Sequence, residues 1–445
     1  MILKRRTKMK RTLTISSVIL IAIFMTLPVY AIDHQLGGDL RFRLFTAGDW
    51  SGDDNDPGKD RSQADSRAHF SYTAKINDDL KVYTLFRMNS VWGDDAAGQT
   101  GVSELKLLLQ HSYIDLNIGK TNFTIGKQDF FEARGLLIYD AAPGVSVTCP
   151  LSEQFSFNAK WIKLGEGGAG ELGDGESAHQ DIDTIAIMPQ IKLNDNITFK
   201  PYFWYVMSNE INKSGRTWNS WWSDIYKLDD LDLYYIGFDA DAKVGPASLW
   251  FTALYQTGSA NIEQSLWTNA TFGSIDFSGI AVLGGGSLNV GKATLSAQLF
   301  YASGDDNPND DKIEQFFSAE AGYYYWSEIM GLGSNDDDIP NNLGWSLTNI
   351  MGGGLGASIC ATDKITLNAS LWYATAVEDI GDIEADDYGT ELNIGMDYAL
   401  MDNLGLSLIG AYVVAGDAIT GESVPNSNID AANPFFLQAQ IQATF

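Results

Sequence analysis

From Leu404 onward the chain alternates: Leu404, Leu406, Leu408, Gly410, Tyr412 and Val414 fall on one face, and Gly405, Ser407 and Ala411 on the other. Successive side chains of a β-strand point to opposite faces, so a period of two predicts strand. Ile365, Leu367, Ala369, Leu371 and Tyr373 repeat the pattern against Thr366, Asn368 and Ser370. Leu295, Ala297, Leu299 and Tyr301 do so against Thr294, Ser296 and Gln298. Such a face must meet either a second sheet or lipid hydrocarbon, and the alternation alone does not choose between them.

The connections choose. Tight turns at Asn77-Asp78-Asp79, Gly119-Lys120, Cys149 to Ser152, Asn194-Asp195, Gly245-Pro246, Gly291-Lys292, Thr362-Asp363 and Met401-Asp402-Asn403 alternate with long segments. Among the long segments are Ala47 to Ala64, Leu164 to Gln180, Asn209 to Asp230 and Gly304 to Trp345. Short turns at one end and long loops at the other are the rule for transmembrane barrels, whereas a sandwich has no reason to sort its loops by length. The expected fold is an all-β, transmembrane, antiparallel up-and-down β-barrel of about 18 strands. The expected strands are 36–46, 65–76, 80–92, 105–118, 121–130, 143–150, 154–163, 181–193, 196–208, 231–244, 247–259, 275–290, 293–303, 349–361, 365–377, 387–400, 404–416 and 433–445. The sixth is the weakest, and without it and its partner the count falls to 16.

The first 31 residues differ from the rest: Lys4, Arg5, Arg6, Lys8, Lys10 and Arg11 lead into an apolar run from Ile15 to Leu27, followed by Val29-Tyr30-Ala31. This predicts a signal peptide over residues 1–31, with the start at either Met1 or Met9, and a single barrel domain over 32–445 with long acidic extracellular loops. Loss of that leader lowers the formal net charge of −28 by a further six. So acidic a chain repels phosphate, which excludes nucleic acid as a partner. Apart from the leader, no apolar run approaches the roughly 18 residues of a membrane-spanning helix. Cys149 and Cys360, eight strands apart, are expected to stay reduced.

The last expected strand places Phe435, Leu437, Ala439, Ile441, Ala443 and Phe445 on one face against Gln438, Gln440, Gln442 and Thr444. A terminal Phe on an amphipathic strand resembles the C-terminal signature of bacterial outer-membrane proteins. That resemblance implies outer-membrane localisation and makes Phe445 the signal read by the barrel-assembly machinery.

An 18-stranded barrel is wide enough for an aqueous channel, so function resides in the lumen lining. Parity turns Asp39, Arg41 and Arg43 inward on the first strand, Arg67, His69 and Lys75 on the second, and Lys81, Tyr83, Arg87 and Asn89 on the third. Arg41, Arg43, Arg67, Lys75, Lys81 and Arg87 then share one stretch of inner wall in a chain of 57 acids and 29 bases. Lipid penalises a charge near its midplane by about 2–4 kcal/mol, which explains why these residues point inward but not why they are all basic. A cationic wall favours anions or orients dipolar solutes.

The segment Gly126-Lys127-Gln128-Asp129-Phe130-Phe131-Glu132-Ala133-Arg134-Gly135, continuing to Tyr139-Asp140-Ala141-Ala142-Pro143-Gly144-Val145, resembles the porin group that includes the alginate-export barrels. In that group a strand reading Gly-Arg-Gln precedes a loop with a basic residue and then an Asp; Lys127 stands here where Arg is usual. The likeness covers about 20 residues, the 18-strand plan and the terminal Phe. It implies that Lys127, Arg134 and Asp140 line the pore or an inward-folded loop, and it does not imply alginate as the solute.

Acidic runs at Asp53 to Asp56, Asp305 to Asp311, Asp336 to Asp338 and Asp382 to Asp387 suit solvated loops, and secondarily Ca²⁺ or Mg²⁺ bridging to lipopolysaccharide. No cofactor is otherwise expected. The loop from Gly304 to Trp345 carries Phe316, Phe317, Tyr323, Tyr324, Tyr325 and Trp326, an apolar group that should pack over or into the barrel mouth or against a neighbouring subunit. His34, His69, His111 and His179 stand alone, and His111-Ser112 point to opposite faces of a strand, so no enzyme is expected. The expected function is a porin, a passive diffusion channel for small hydrophilic solutes with a preference for anions or sugar acids. By porin analogy the assembly to look for is a homotrimer. The alternatives are a barrel sheath around a partner such as an electron-transfer protein, and a secreted β adhesin.

Overall fold

A computed structural model describes residues 32–56, 60–94, 106–165, 181–208, 226–265, 273–307, 310–319, 324–331, 333, 347–379, 385–421 and 429–445. The expected signal peptide, Tyr323 and the acidic run Asp336 to Asp338 lie outside them. The strands are β1 (Asp33–Gly48), β2 (Arg61–Lys75), β3 (Leu80–Val91), β4 (Leu107–Ile118), β5 (Thr121–Glu132), β6 (Ile138–Pro150) and β7 (Phe155–Gly165). They continue as β8 (Ile182–Ile187), β9 (Gln190–Asn194), β10 (Ile197–Ser208), β11 (Tyr226–Val244), β12 (Ala247–Ser265), β13 (Ser274–Val290) and β14 (Ala293–Ala302). The remainder are β15 (Lys312–Ile313), β16 (Ile350–Cys360), β17 (Ile365–Thr375), β18 (Asp387–Met401), β19 (Leu404–Ala415) and β20 (Phe435–Thr444).

These strands form a closed antiparallel barrel of 18, the larger of the two expected counts. β8 and β9 are halves of one barrel strand, since both pair with β7 and with β10. The break falls at Met188 and Pro189, where proline removes a ladder N–H, so the expected continuous strand 181–193 is split. β15 is a two-residue parallel bridge onto β13 rather than a part of the wall. Closure runs between β1 and β20, in register from Asp39 opposite Thr444 to Gly48 opposite Phe435. Phe445 completes it, exchanging two backbone hydrogen bonds of 3.0 Å with Gly38.

Both chain ends of the barrel lie with the short turns, as an even strand number requires. The outward face is apolar from strand to strand, with Leu299 72% and Leu355 66% exposed and Leu371, Leu392 and Val414 in the same belt. A continuous apolar surface of this kind belongs against hydrocarbon, because water would penalise it over its whole area. Tyr255, Tyr301, Tyr373 and Tyr412 stand outward toward the long-loop end, the position of an interfacial aromatic girdle. Among the described residues no helix is long and apolar enough to cross a membrane; the crossing elements are strands. Cys149 and Cys360 are both free thiols, as expected.

Candidate functional site: a lumen narrowed by a hairpin and a loop

Register brings the six expected cations onto one wall. Arg41 lies opposite Arg67, which lies opposite Asn89; His69 lies between Asp39 and Arg87; Lys75 lies opposite Lys81. Carboxylates that the parity reading passed over are interleaved with them. Asp65 sits beside Arg43, which is 3% exposed, and accepts from its Nε at 2.9 Å and its guanidinium nitrogen at 2.7 Å. Arg41 reaches the other Asp65 oxygen at 3.7 Å, Lys81 pairs with Asp115 at 3.3 Å, and Lys75 with Asp78 at 2.8 Å. Arg67 donates to the amide oxygen of Asn89 at 3.1 Å, and the Nε of Arg87 is buried without a hydrogen-bond partner. Arg43, bonded twice to a buried carboxylate, is tied into the structure.

The segment from Gly126 to Val145 makes the first constriction. Pairing of β4 with β5 stops at Ser112 and Lys127, and pairing of β6 with β7 begins at Gly144 and Ile162. Between those limits β5 and β6 pair only with each other, so the hairpin leaves the wall and folds into the lumen. Gly126 is the hinge: its φ of 129° suits glycine, and a Cβ there would lie 2.3 Å from the Ser112 carbonyl oxygen. The sixth strand consequently begins at Ile138 rather than at the expected 143, because its first residues belong to the hairpin and not to the wall.

Arg134, at the hairpin tip, meets a distant part of the barrel. It donates to Asp241 of β11 at 2.8 Å and to the Thr252 hydroxyl of β12 at 3.0 Å, and its guanidinium lies 4.7 Å from the Trp250 ring centre. Thr252 in turn donates to Asp239 at 2.7 Å. Ala133 and Arg134 both have positive φ, at 51° and 60°, a strained turn that these contacts hold in place. Lys127 has a different place: at the hairpin root its Nζ donates to the Leu109 carbonyl at 3.3 Å, on the edge of β4 that β5 has left. His111 of β4 likewise meets Asp129 at 2.7 Å. Asp140 is exposed on the hairpin and accepts from the Ala141 N–H.

The second constriction is the aromatic loop, which packs into the lumen. Phe316 and Phe317 are buried against β11, β12 and β13: Tyr235 donates its hydroxyl to the Phe317 carbonyl, and the Phe317 N–H donates to Gln256 Oε1, each at 3.0 Å. Phe316 meets Tyr235 and Phe317 meets Phe277, both edge to face. Further along, Trp326 packs between Phe300 of β14 and Trp372 of β17. Glu391 of β18 is fully buried, and its carboxylate accepts the N–H groups of Glu328 at 2.8 Å, Ile329 at 2.9 Å and Met330 at 2.7 Å. The loop is thus fastened at β11–β13 and at β17–β18. A cavity of about 710 Å³ remains between it and the inner faces of β14 and β16 to β19.

Of the acidic runs, the one from Asp305 gathers a cluster with metal-ligand geometry: oxygens of Asp305, Asp306 and Glu314 lie within 4.8 Å of one another. Lys312 pairs with Glu314 and offsets part of that charge. Burial, then the neighbouring Glu314, Asp310 and Asp306, pushes the Asp305 carboxyl above its usual range. Asp53 acts within the protein, accepting the Asp430 N–H at 3.0 Å and tying the first long loop to the last.

No family model matches the chain. No curated protein sequence matches it either. Solved structures do. OccK8 (OprE) of Pseudomonas aeruginosa superposes with a TM-score of 0.57 at 12% identity, over 93% of this chain and 98% of that one. OpdK of the same organism, solved with vanillate, gives 0.55 at 11% identity over 93% and 98%. OccAB4 of Acinetobacter baumannii gives 0.54 at 13% identity over 94% and 100%. The 18-stranded barrel shares the fold of these outer-membrane porins. The porin resemblance read from residues 126–145 and the strand plan therefore holds for the fold, while its narrower form shifts from the alginate-export barrels to the Occ and OpdK channels.

Proposed function

We propose that the chain is an outer-membrane porin, a passive diffusion channel for small hydrophilic solutes. The observation that carries this reading is a closed barrel, apolar outside and polar inside, whose lumen is narrowed by its own hairpin and loop. The channels it resembles in fold support it: OpdK was solved with vanillate, a carboxylate, which suits a solute preference for anions or sugar acids at the basic wall. Catalysis forms no part of the proposal, in keeping with neighbours that are channels. A sheath around an electron-transfer protein fits less well, because Phe316, Phe317, Trp326 and Leu137 already occupy the lumen. By the same reading the long loops face the cell exterior and lipopolysaccharide, and Phe445 is the assembly signal.

The test is conductance of the purified protein in planar bilayers under a salt gradient. Discrete steps with a reversal potential on the anion side are expected. Bilayers that stay silent, with protein shown to be folded and inserted, would overturn the channel.

A further inference from the structure

By bending inward at Gly126, the hairpin leaves the wall incomplete. Where β5 and β6 have left it, β4 and β7 face each other across the place of two strands, a breach of about 14 Å at ordinary strand spacing. The hairpin leans to the β7 side of this breach: Glu132 pairs with Lys160, whose Nζ lies 5.4 Å from the Phe130 ring centre. Toward β4 it is tied by Asp129 to His111 and, at its root, by Lys127 to the Leu109 carbonyl. From Leu107 to His111, β4 is paired with β3 and has no described strand along its other edge.

The breach lies at membrane depth. Leu107 and Leu109 stand opposite Met88 and Phe86, four and six residues before Trp92. Trp92 is exposed beside the lipid-facing Phe42 ring, the position of a residue that marks the interface. An open sheet edge is tolerated at such depth only where it lines water, so lumen water reaches the β4 edge while Leu107 and Leu109 beside it meet hydrocarbon. Lys127 needs that water too. It follows the lipid-facing Ile125 by two residues, and among the described residues its Nζ has a carbonyl and no carboxylate for partner, where lipid penalises a bare charge. Inward of the edge the lining stays apolar: Leu108, 43% exposed, faces the lumen beside Arg87, and Phe131, 55% exposed, shares the hairpin face of Asp129 and meets Tyr139 edge to face. An apolar track with a cation at its mouth thus runs from hydrocarbon to lumen.

We propose that the breach between β4 and β7 is a lateral portal, through which amphiphilic carboxylates pass between the lumen and the outer leaflet. Leu107, Leu108 and Leu109 take the apolar chain, Lys127 takes the carboxylate, and Phe131 and Tyr139 receive the chain on the lumen side. The proposal rests on the channel reading and adds to the axial passage a second route, open to solutes that dissolve in lipid.

The experiment records single channels of the full-length protein in phosphatidylcholine bilayers, with hexadecanoate dissolved in the lipid alone, so that the acid meets the current only through the wall. Alkaline buffer keeps the acid ionised. Brief interruptions of the current are expected, and none with hexadecanol, which has the chain without the charge. Lys127→Gln should shorten them roughly tenfold, the effect of losing one hydrogen bond to a charged group. Leu108→Asn, which leaves Lys127 in place, should make them rarer and serves if the first variant fails to fold. Equal effects of acid and alcohol, or interruptions unchanged in folded variants, overturn the portal. Interruptions in phosphatidylglycerol bilayers without added acid assign Lys127 to a lipid headgroup and overturn it as well. If the protein gives no conductance steps in salt, the channel reading fails. Photolabelling in vesicles by hexadecanoate with a diazirine at its chain end then decides the portal alone: label on Leu108, Phe131 or Tyr139 supports it, and label confined to lipid-facing residues overturns it.

Discussion

Arg134 determines how far the hairpin reaches across the lumen, because its two hydrogen bonds and its contact with Trp250 join the tip to β11 and β12. Arg134→Ala removes all three at a turn that is already strained, so the tip should swing free and single-channel conductance should rise; an unchanged step size would show that other contacts hold it. The cations of the wall divide in two. Arg43→Ser leaves Asp65 buried and short of its main partner, a loss of about 3–5 kcal/mol that lowers the unfolding temperature. Arg87→Ser, at the cation whose Nε makes no hydrogen bond, should cost less stability and move the reversal potential toward cations. Parity alone made all six cations legible, because each sits on the inward half of a regular strand. It did not separate them, since the partner of Arg43 is set by cross-strand register, which the sequence does not display. Asp65 has the same parity as Arg67 and was there to be found. Lys127, named by resemblance and not by parity, sits at the hairpin root, where beyond Gly126 the strand leaves the wall and parity no longer means lumen or lipid.

At the scale of elements, the aromatic loop was legible as something that must be buried, since six large rings in one acidic loop cannot remain in water. Its anchor was not. Glu391 falls on the inward face of β18, but nothing in the sequence connects it to a turn more than sixty residues earlier. Glu391→Gln keeps the shape and removes the charge, replacing one carboxylate oxygen by a donor that faces N–H groups. Charge-assisted hydrogen bonds contribute about 1.5–3 kcal/mol each, so the loop should detach at this end. The expected result is faster protease cleavage near residues 326–331 and a noisier, larger conductance, with barrel melting little changed.

The other end of the same loop should respond to pH. Asp305 holds its proton more tightly in the folded loop than in the unfolded chain, whose ordinary value is 3.8. Protonation therefore stabilises the folded loop: the gain is absent at neutral pH, grows as pH falls through the raised value, and is complete below 3.8. Asp305→Asn, which mimics the protonated form, should exchange amide hydrogens over 305–314 more slowly than the parent at neutral pH, and the two should converge in acid. Slower exchange in the parent at neutral pH would contradict the sign.

For the whole molecule, the strand count and the two ends of the barrel followed from period-two alternation and from loops sorted by length. Both properties arise from a closed sheet set between two different surroundings, and both are written locally along the chain. The width of the passage was not, because it depends on a hairpin and a loop that meet walls far from them in sequence. Everything proposed for the lumen presupposes that alternate side chains face hydrocarbon and water. With Cys149 and Cys360 replaced by Ser, nitroxide labels placed one at a time at positions 366–371 of β17 in lipid vesicles test this directly. Oxygen should relax the labels at 367, 369 and 371, and a water-soluble nickel chelate those at 366, 368 and 370. Equal access of the chelate to all six positions would contradict a strand set between lipid and an enclosed aqueous lumen.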